Sequence, residues 1–318
     1  MAVLLSNVVI GVFSTTLALS PFYLFAGLGE IVVEKSGVVN LGIEGIALMS
    51  LITTFIVDYA TGNPWIALLA ALGTAAVLGF VFGFFSITMR LDQIVLGIAI
   101  YLFGLGMSLV IYNAVYQCSS CSPPPSFVSL SNIYIPYLSS IPVLGPILFQ
   151  RNVLVYFSLV LVVGVAFFLS RTSLGLRVRA VGENPKASDN MGVNVNKVRF
   201  LAVLLGAILA GLAGSYFSLD PTYGVHSFQF DIIAGKGFIA LAMIYLANWG
   251  PYKTLFAALS FNVVYATQSE IVAINSTALA ASSQLFNMLP YIYLLALIPI
   301  LGRRARPPKF LLKPYRKG

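Results

Sequence analysis

Long apolar stretches, each about as long as a membrane span and each ended by a short polar break, recur from the first residues to residue 301. No other feature restricts the fold so tightly. A helix needs about 20 mostly apolar residues to cross roughly 30 Å of hydrocarbon. Runs of that kind lie at 8–29, 38–57, 65–89, 93–116, 153–170, 199–219, 237–249, 253–270 and 284–301. They predict an all-α, polytopic membrane protein of about nine helices. The 237–249 run is short, and the stretch from Gly29 to Gly45 is broken by Glu30, Glu34, Lys35, Asn40 and Glu44, so eight or ten is also consistent with the pattern. Composition agrees: 9% of the residues are charged, against about 25% in soluble domains, and mean hydropathy is +0.93. Residues 1–302 form the expected membrane domain, with the largest cytoplasmic connection expected at 171–199, and 303–318 form a basic tail. The first run is expected to stay as a helix, because no basic residue precedes it and no clean cleavage pattern follows.

A net charge of +8 would suit a nucleic-acid partner, but its distribution argues otherwise. Sixteen of the eighteen Lys and Arg fall at Lys35, Arg90, Lys253, the 171–199 connection and the tail. Threading nine helices puts all of these on one side, leaving Asp58, Asp220, Asp231 and Glu270 on the other with only Arg151 and Lys236. The positive-inside rule then predicts an amino terminus outside and a carboxy terminus in the cytoplasm. The basic tail would lie beside anionic lipid headgroups, and no nucleic-acid partner is expected.

Catalytic and cofactor motifs are missing. The sequence has no phosphate-binding G-x-x-x-x-G-K-[ST] and no H-E-x-x-H, and its one histidine, His226, stands beside a predicted outer loop. Cys118 and Cys121, the only cysteines, lack the further ligands a zinc site needs; on an outer face they suit a local disulfide or two free thiols. Asn275, Ser276 and Thr277 form a glycosylation sequon on the predicted outer side. The chain is therefore not expected to be an enzyme or to hold a cofactor, and ATP-driven transport would require a nucleotide-binding partner.

Two places could carry function. In the 171–199 connection Asn184 suits an N-cap, Pro185 the first helical position and Gly192 a left-handed stop, which predicts a short helix over 185–191. Ala187 and Met191 share its face, with Lys186 and Asp189 alongside; a docking helix and an ordinary solvated turn both fit. Within the spans, Glu30, Asn40 and Glu44, with Gln93 as a fourth, are costly to expose to lipid and suit a water-lined pathway or an internal hydrogen-bond cluster. Small residues at Gly79/Gly83 and at Gly206/Ala210/Gly214 read as close-packing devices, and Trp65 and Trp249 as interfacial aromatics.

The run Ser36-Gly-Val-Val-Asn-Leu-Gly-Ile-Glu-Gly45, preceded by Glu34-Lys35, resembles the E-[RK]-S-G-x-x-N-L-G-x-E-G signature of the smaller permease of nucleoside and simple-sugar ABC importers, relatives of the branched-chain amino acid and ribose permeases. Gly175-Leu-Arg-Val-Arg-Ala-Val-Gly-Glu-Asn-Pro-Lys-Ala187 with Gly192-Val-Asn-Val, Ala210-Gly-Leu-Ala-Gly-Ser-Tyr-Phe-Ser-Leu219, Gly235-Lys-Gly-Phe-Ile-Ala-Leu-Ala242 and the closing Lys313-Pro-Tyr315 are also similar to that family. The resemblance implies a type II-like importer permease. It further implies a coupling helix whose residues Glu183, Asn184, Pro185, Lys186, Ala187, Asp189 and Met191 seat in a cytoplasmic ABC ATPase. Glu30, Asn40, Glu44 and Gln93 would lie at the translocation pathway. The implied partners are a second, longer, non-identical permease, an outer substrate-binding lipoprotein and the surrounding lipid of the cell membrane. Branched-chain amino acids or pentoses as cargo, and an ion-coupled secondary transporter using Glu44, are the alternatives.

Overall fold

In this computed structural model, residues 2–116, 128–221, 232–274, 283–302 and 305–316 are described. Cys118, Cys121, His226, Asp231 and the sequon at Asn275 lie outside the described residues. The helices are α1 (Ala2–Lys35), α2 (Ile43–Thr61), α3 (Pro64–Gly83, continuing as a π-helical turn over Phe84–Thr88), α4 (Gln93–Tyr116), α5 (Val153–Arg171), α6 (Ser173–Glu183), α7 (Pro185–Asn190), α8 (Val195–Leu219), α9 (Lys236–Leu246), α10 (Pro251–Ile274), α11 (Ser283–Asn287) and α12 (Leu289–Leu301). Two three-residue strands, β1 (Asn132–Tyr134) and β2 (Gln150–Asn152), pair antiparallel with Ile133 opposite Arg151.

Among the described residues, seven helices are long and apolar enough to cross a membrane; two shorter apolar helices, Lys236–Leu246 and Leu285–Ile300, occupy the runs expected at 237–249 and 284–301. The polar breaks between runs act as caps. Asn63, Asn152, Thr172, Asn184 and Asn194 each accept a hydrogen bond from a backbone N–H in the first turn of α3, α5, α6, α7 and α8 respectively, satisfying donors that a helix start leaves open. The connection over 171–199 is thus not a loop with one helical turn but two successive helices.

Helix α1 runs through the middle of the bundle, packed against α8, α10, α5 and α9, while α2 packs on α3, α8 and α4. Lipid supplies no hydrophobic drive between helices, so close backbone approach and polar contacts must hold them. Gly79 and Gly83 of α3 face Ala207 and Phe200 of α8, Gly206 faces Gly29 of α1, and Gly214 faces the Ala47 backbone of α2. Proline interrupts α1 at Pro21, and nearby polar groups find partners elsewhere: the Tyr216 hydroxyl donates to the Ala18 carbonyl at 2.5 Å, and Asn262 Nδ2 donates to Ser20 Oγ at 3.1 Å.

The charges separate by end. At one end Asp58 Oδ2 accepts from the Val128 N–H at 2.6 Å, and Asp220 Oδ2 accepts from Asn152 Nδ2 at 3.0 Å and lies against the Tyr216 hydroxyl oxygen, beside the buried Arg151. At the other end Lys35, α6, α7, the start of α8 and the tail come together.

Candidate functional site

The functional candidates gather where the chain leaves α1. Helix α1 stops at Lys35, and residues 36–42 cross the interior without helical structure before α2 begins at Ile43. Irregular backbone at membrane depth is tolerated only where it is buried in protein or lines a cavity, because every N–H needs a partner. Ser36 and Gly37 donate back to the Val33 and Glu34 carbonyls at 2.9 and 2.8 Å, closing α1. The Val39 N–H donates to Gln93 Oε1 at 3.0 Å, the Asn40 N–H to Glu30 Oε1 at 2.7 Å, and the Gly42 N–H to Asn40 Oδ1 at 3.0 Å. Three of the four intramembrane residues singled out by sequence therefore hold this break in place: Glu30 from α1, Gln93 from the first turn of α4, and Asn40 from within it.

Glu44, the fourth, lies in the first turn of α2. Its Oε1 accepts the Gly235 N–H at 2.6 Å, at the start of α9. A Cβ on Gly237 would sit 3.0 Å from Glu44 Cβ, so that glycine permits the approach. Helix α9 has 11 residues, about 16 Å at 1.5 Å per residue, too short to cross; its positive end points a dipole at the Glu44 carboxylate. Asn40 Nδ2 and Glu44 Oε2 are both buried and have no hydrogen-bond partner among the described residues. Buried polar atoms of that kind call for an explanation.

Glu34, part of the signature run, and Trp249, read from the sequence as an interfacial aromatic, complete the site. Glu34 is buried and its Oε2 accepts from the Trp249 indole N–H. Trp249 is 2% exposed, whereas Trp65 is 52% exposed. Asn248 and Trp249 both have left-handed backbone, φ +50° and +55°, uncommon outside glycine, and this strained α9–α10 turn is the one that presents the indole to Glu34. A cavity of about 310 Å³ lies against them, lined by Glu34, Val39, Leu241, Tyr245, Trp249 and Leu311.

The short helix predicted over 185–191 is α7, Pro185–Asn190, with Asn184 Oδ1 capping the Ala187 N–H at 3.1 Å and Gly192 at φ +81° ending it. Glu183, Asn184, Lys186, Ala187 and Met191 are exposed, Met191 by 84%, while Pro185 and Ser188 face inward. Asp189 is half-buried and lines a shared pocket with the Tyr315 side chain of the tail. Burial and the Asp189 carboxylate hold the Tyr315 phenol above its ordinary pKa of 10.0, so it remains a donor at neutral pH. Among the described residues no cluster of His, Cys, Asp and Glu is arranged to hold a metal.

A family profile described as branched-chain amino acid transport system / permease component matches residues 12–298. The chain is 34% identical over 319 residues to the guanosine ABC transporter permease protein NupQ of Bacillus subtilis, covering 95% of each chain. It is 33% identical to the putative glucose ABC transporter permease protein TsgC13 of Haloferax volcanii, over 81% of this chain and 77% of that one. A second B. subtilis protein, the guanosine ABC transporter permease protein NupP, matches at 25% identity over 71% of this chain and 64% of its own length. No solved structure matches.

Proposed function

Because the chain belongs to the family of permease components of branched-chain amino acid transport systems, we propose that it is the membrane subunit of an ATP-binding cassette importer that moves nucleosides or related simple sugars by alternating access. The cargo assignment draws on what its relatives are called, guanosine for NupQ and glucose for TsgC13. The observation that carries the reading is the buried polar cluster formed by the 36–42 break and the first turn of α2, where one donor, Asn40 Nδ2, and one acceptor, Glu44 Oε2, have no hydrogen-bond partner among the described residues. Sugar hydroxyls both donate and accept, and a pathway that passes a nucleoside or a sugar needs groups of that kind. In this reading Asn40 and Glu44 touch the solute, and Glu30 and Gln93 keep the break rigid around them.

The exposed face of α7, with Glu183, Asn184, Lys186, Ala187 and Met191 around Pro185 and Asp189, docks in a cytoplasmic ABC ATPase. ATP closure would drive it. The carboxy-terminal end is then cytoplasmic and the amino terminus outside, by the positive-inside rule. A longer, non-identical permease completes the pathway, a pairing supported by the occurrence of NupP beside NupQ in one organism. An outer substrate-binding lipoprotein delivers the solute.

The test uses vesicles containing both permeases and the ATPase, with binding protein and labelled guanosine or glucose. Uptake is expected on adding ATP and absent when this chain is reconstituted alone. Replacing residues 183–189 with a Gly/Ser linker should keep insertion but abolish substrate-stimulated hydrolysis; unchanged hydrolysis would remove α7 from the coupling role. Accumulation by the lone chain under an ion gradient would overturn the importer reading altogether.

A further inference from the structure

Sequence reasoning treats the basic tail as a lipid-facing appendage, yet residues 305–315 lie across the helices at the basic end and touch the α9–α10 turn, α6 and α8, beside α7. The Arg306 N–H donates to Asn248 Oδ1 at 2.8 Å, at the strained α9–α10 turn. The Phe310 N–H donates to the Gly182 carbonyl at 3.0 Å, at the end of α6. Tyr315 is buried in a small apolar cluster with Val181 of α6 and Val195 of α8, and it lines one pocket together with Asp189 of α7. Leu311 closes the cavity that holds Glu34 and Trp249.

Arg199, near the start of α8, links the tail to the break. It is 2% exposed; its Nε donates to the Ser36 carbonyl at 3.1 Å and its Nη1 to the Lys313 carbonyl at 3.0 Å. A cation at this place also faces the carboxy-terminal end of α1, where carbonyls without intrahelical partners favour positive charge. Only a guanidinium spans two carbonyls this way, since its donors are fixed in a planar fork. From α7 a continuous series of contacts thus runs through Tyr315 and Lys313 to Arg199 and on to Ser36, the first residue of the break. The exposed face of α7 stays clear of the tail, because Asp189 and Ser188 face inward while Lys186, Ala187 and Met191 face out.

We propose that residues 305–315 form a strap that carries displacement of α7 to the 36–42 break, with Tyr315 and Arg199 as its positioning residues. This rests on the reading of α7 as the ATPase-docking helix. Without the strap, a push on α7 reaches the break only through α6 and the start of α8; with it, α7, the break and the α9–α10 turn move as one body. Allosteric coupling of this sort is typically worth about 5- to 150-fold in equilibrium terms, so cutting the strap should uncouple hydrolysis from movement rather than stop either.

The test compares substrate moved per ATP hydrolysed in vesicles holding the complete complex, for wild type, Tyr315→Ala, Tyr315→Phe, Arg199→Lys and the 183–189 linker variant. Co-purification of the ATPase reports docking. Tyr315→Ala and Arg199→Lys should retain the ATPase and its hydrolysis while moving on the order of tenfold less substrate per ATP. Tyr315→Phe keeps the apolar plug and should recover part of that loss, which separates any contribution of the hydroxyl beside Asp189 from packing. An unchanged ratio in both Tyr315→Ala and Arg199→Lys, including one where hydrolysis and uptake fall in parallel, overturns the strap. The linker variant isolates the premise: retained ATPase and normal stimulation there refutes docking through α7, whereas their loss beside a silent Tyr315→Ala refutes the strap alone.

Discussion

Changing Gly37 to alanine tests how the break is built, because the glycine is required there twice over. Its φ is +91°, and holding an L-residue in left-handed backbone costs about 1–2 kcal/mol. A Cβ would also stand 2.7 Å from Arg199 Nη2 and 3.0 Å from the Phe310 carbonyl oxygen. The carbonyl belongs to the tail backbone and the guanidinium is already fixed on Ser36 and Lys313, so relief means giving up one of those bonds. A hydrogen bond to a charged group contributes about 1.5–3 kcal/mol. The two effects sum to about 2.5–5 kcal/mol, a sizeable share of the roughly 5–15 kcal/mol that separates folded from unfolded domains. Gly73→Ala is the matched control: an exposed position of α3 with nothing within 4 Å of the new Cβ, where exchanging glycine for alanine in a helix gains about 0.5–1 kcal/mol. Denaturation midpoints of the two variants in detergent should move in opposite directions from wild type. Trypsin should also cut the Gly37→Ala tail faster, at Lys309 or Arg316, because its anchor is weakened. If Gly37→Ala is as stable and as protease-resistant as Gly73→Ala, the account of the break is wrong.

Two further changes probe the rest of the site. Glu44→Gln keeps the side chain's size but exchanges the charge-assisted bond to the Gly235 N–H for a neutral one of about half the strength. Uptake by the complete complex should fall about tenfold, equivalent to about 1.4 kcal/mol, with insertion and ATPase association intact; wild-type uptake would exclude Glu44 from the pathway. Gly104→Val places a Cβ 2.6 Å from Gly45 Cα, against backbone that cannot turn aside, and overpacking of this kind costs typically about 1–3 kcal/mol. A Cβ at the neighbouring, exposed Gly106 meets nothing within 4 Å, so equal thermal stability of Gly104→Val and Gly106→Val would show that α2 and α4 are not in backbone contact.

What could be read from the sequence, and what could not, divides along a physical line. Span positions depend on runs of apolar residues, a local property, so 65–89, 93–116, 153–170 and 253–270 lie within two residues of the helices observed at Pro64–Thr88, Gln93–Val115, Val153–Arg171 and Pro251–Val272. The run expected at 38–57 begins instead at Ile43. Val38, Val39 and Leu41 are as apolar as any span, but hydropathy cannot reveal that their backbone is not helical. That conformation depends on Gly37 and on carbonyl and carboxylate partners contributed from Glu30 and from Gln93, 54 residues away from Val39. Helix α6 was hidden for a related reason: Gly175 and Gly182 are poor helix formers, yet each lies against backbone, of Phe168 and Lys35 respectively, where a side chain would not fit. The α7 cap was legible because Asn184, Pro185 and Gly192 carry their conformations within nine residues.

The same line explains why the tail was misjudged. Its charge predicts attraction to lipid headgroups, and that attraction acts on exposed side chains such as Lys309 and Arg316. What fixes the tail is its backbone: an N–H of Arg306, an N–H of Phe310 and a carbonyl of Lys313, each with a partner in another helix or turn. Pro307, Pro308 and Pro314 cannot donate and cannot continue a helix, so the segment forms only a local turn over 309–312 and leaves the Arg306 and Phe310 N–H groups and the Lys313 carbonyl to the bundle. A lone arginine at the head of an apolar run, Arg199, was the one local sign that such a segment must exist. A buried guanidinium is costly unless its donors are engaged, and α8 itself has no open carbonyls near its own first turn to engage them.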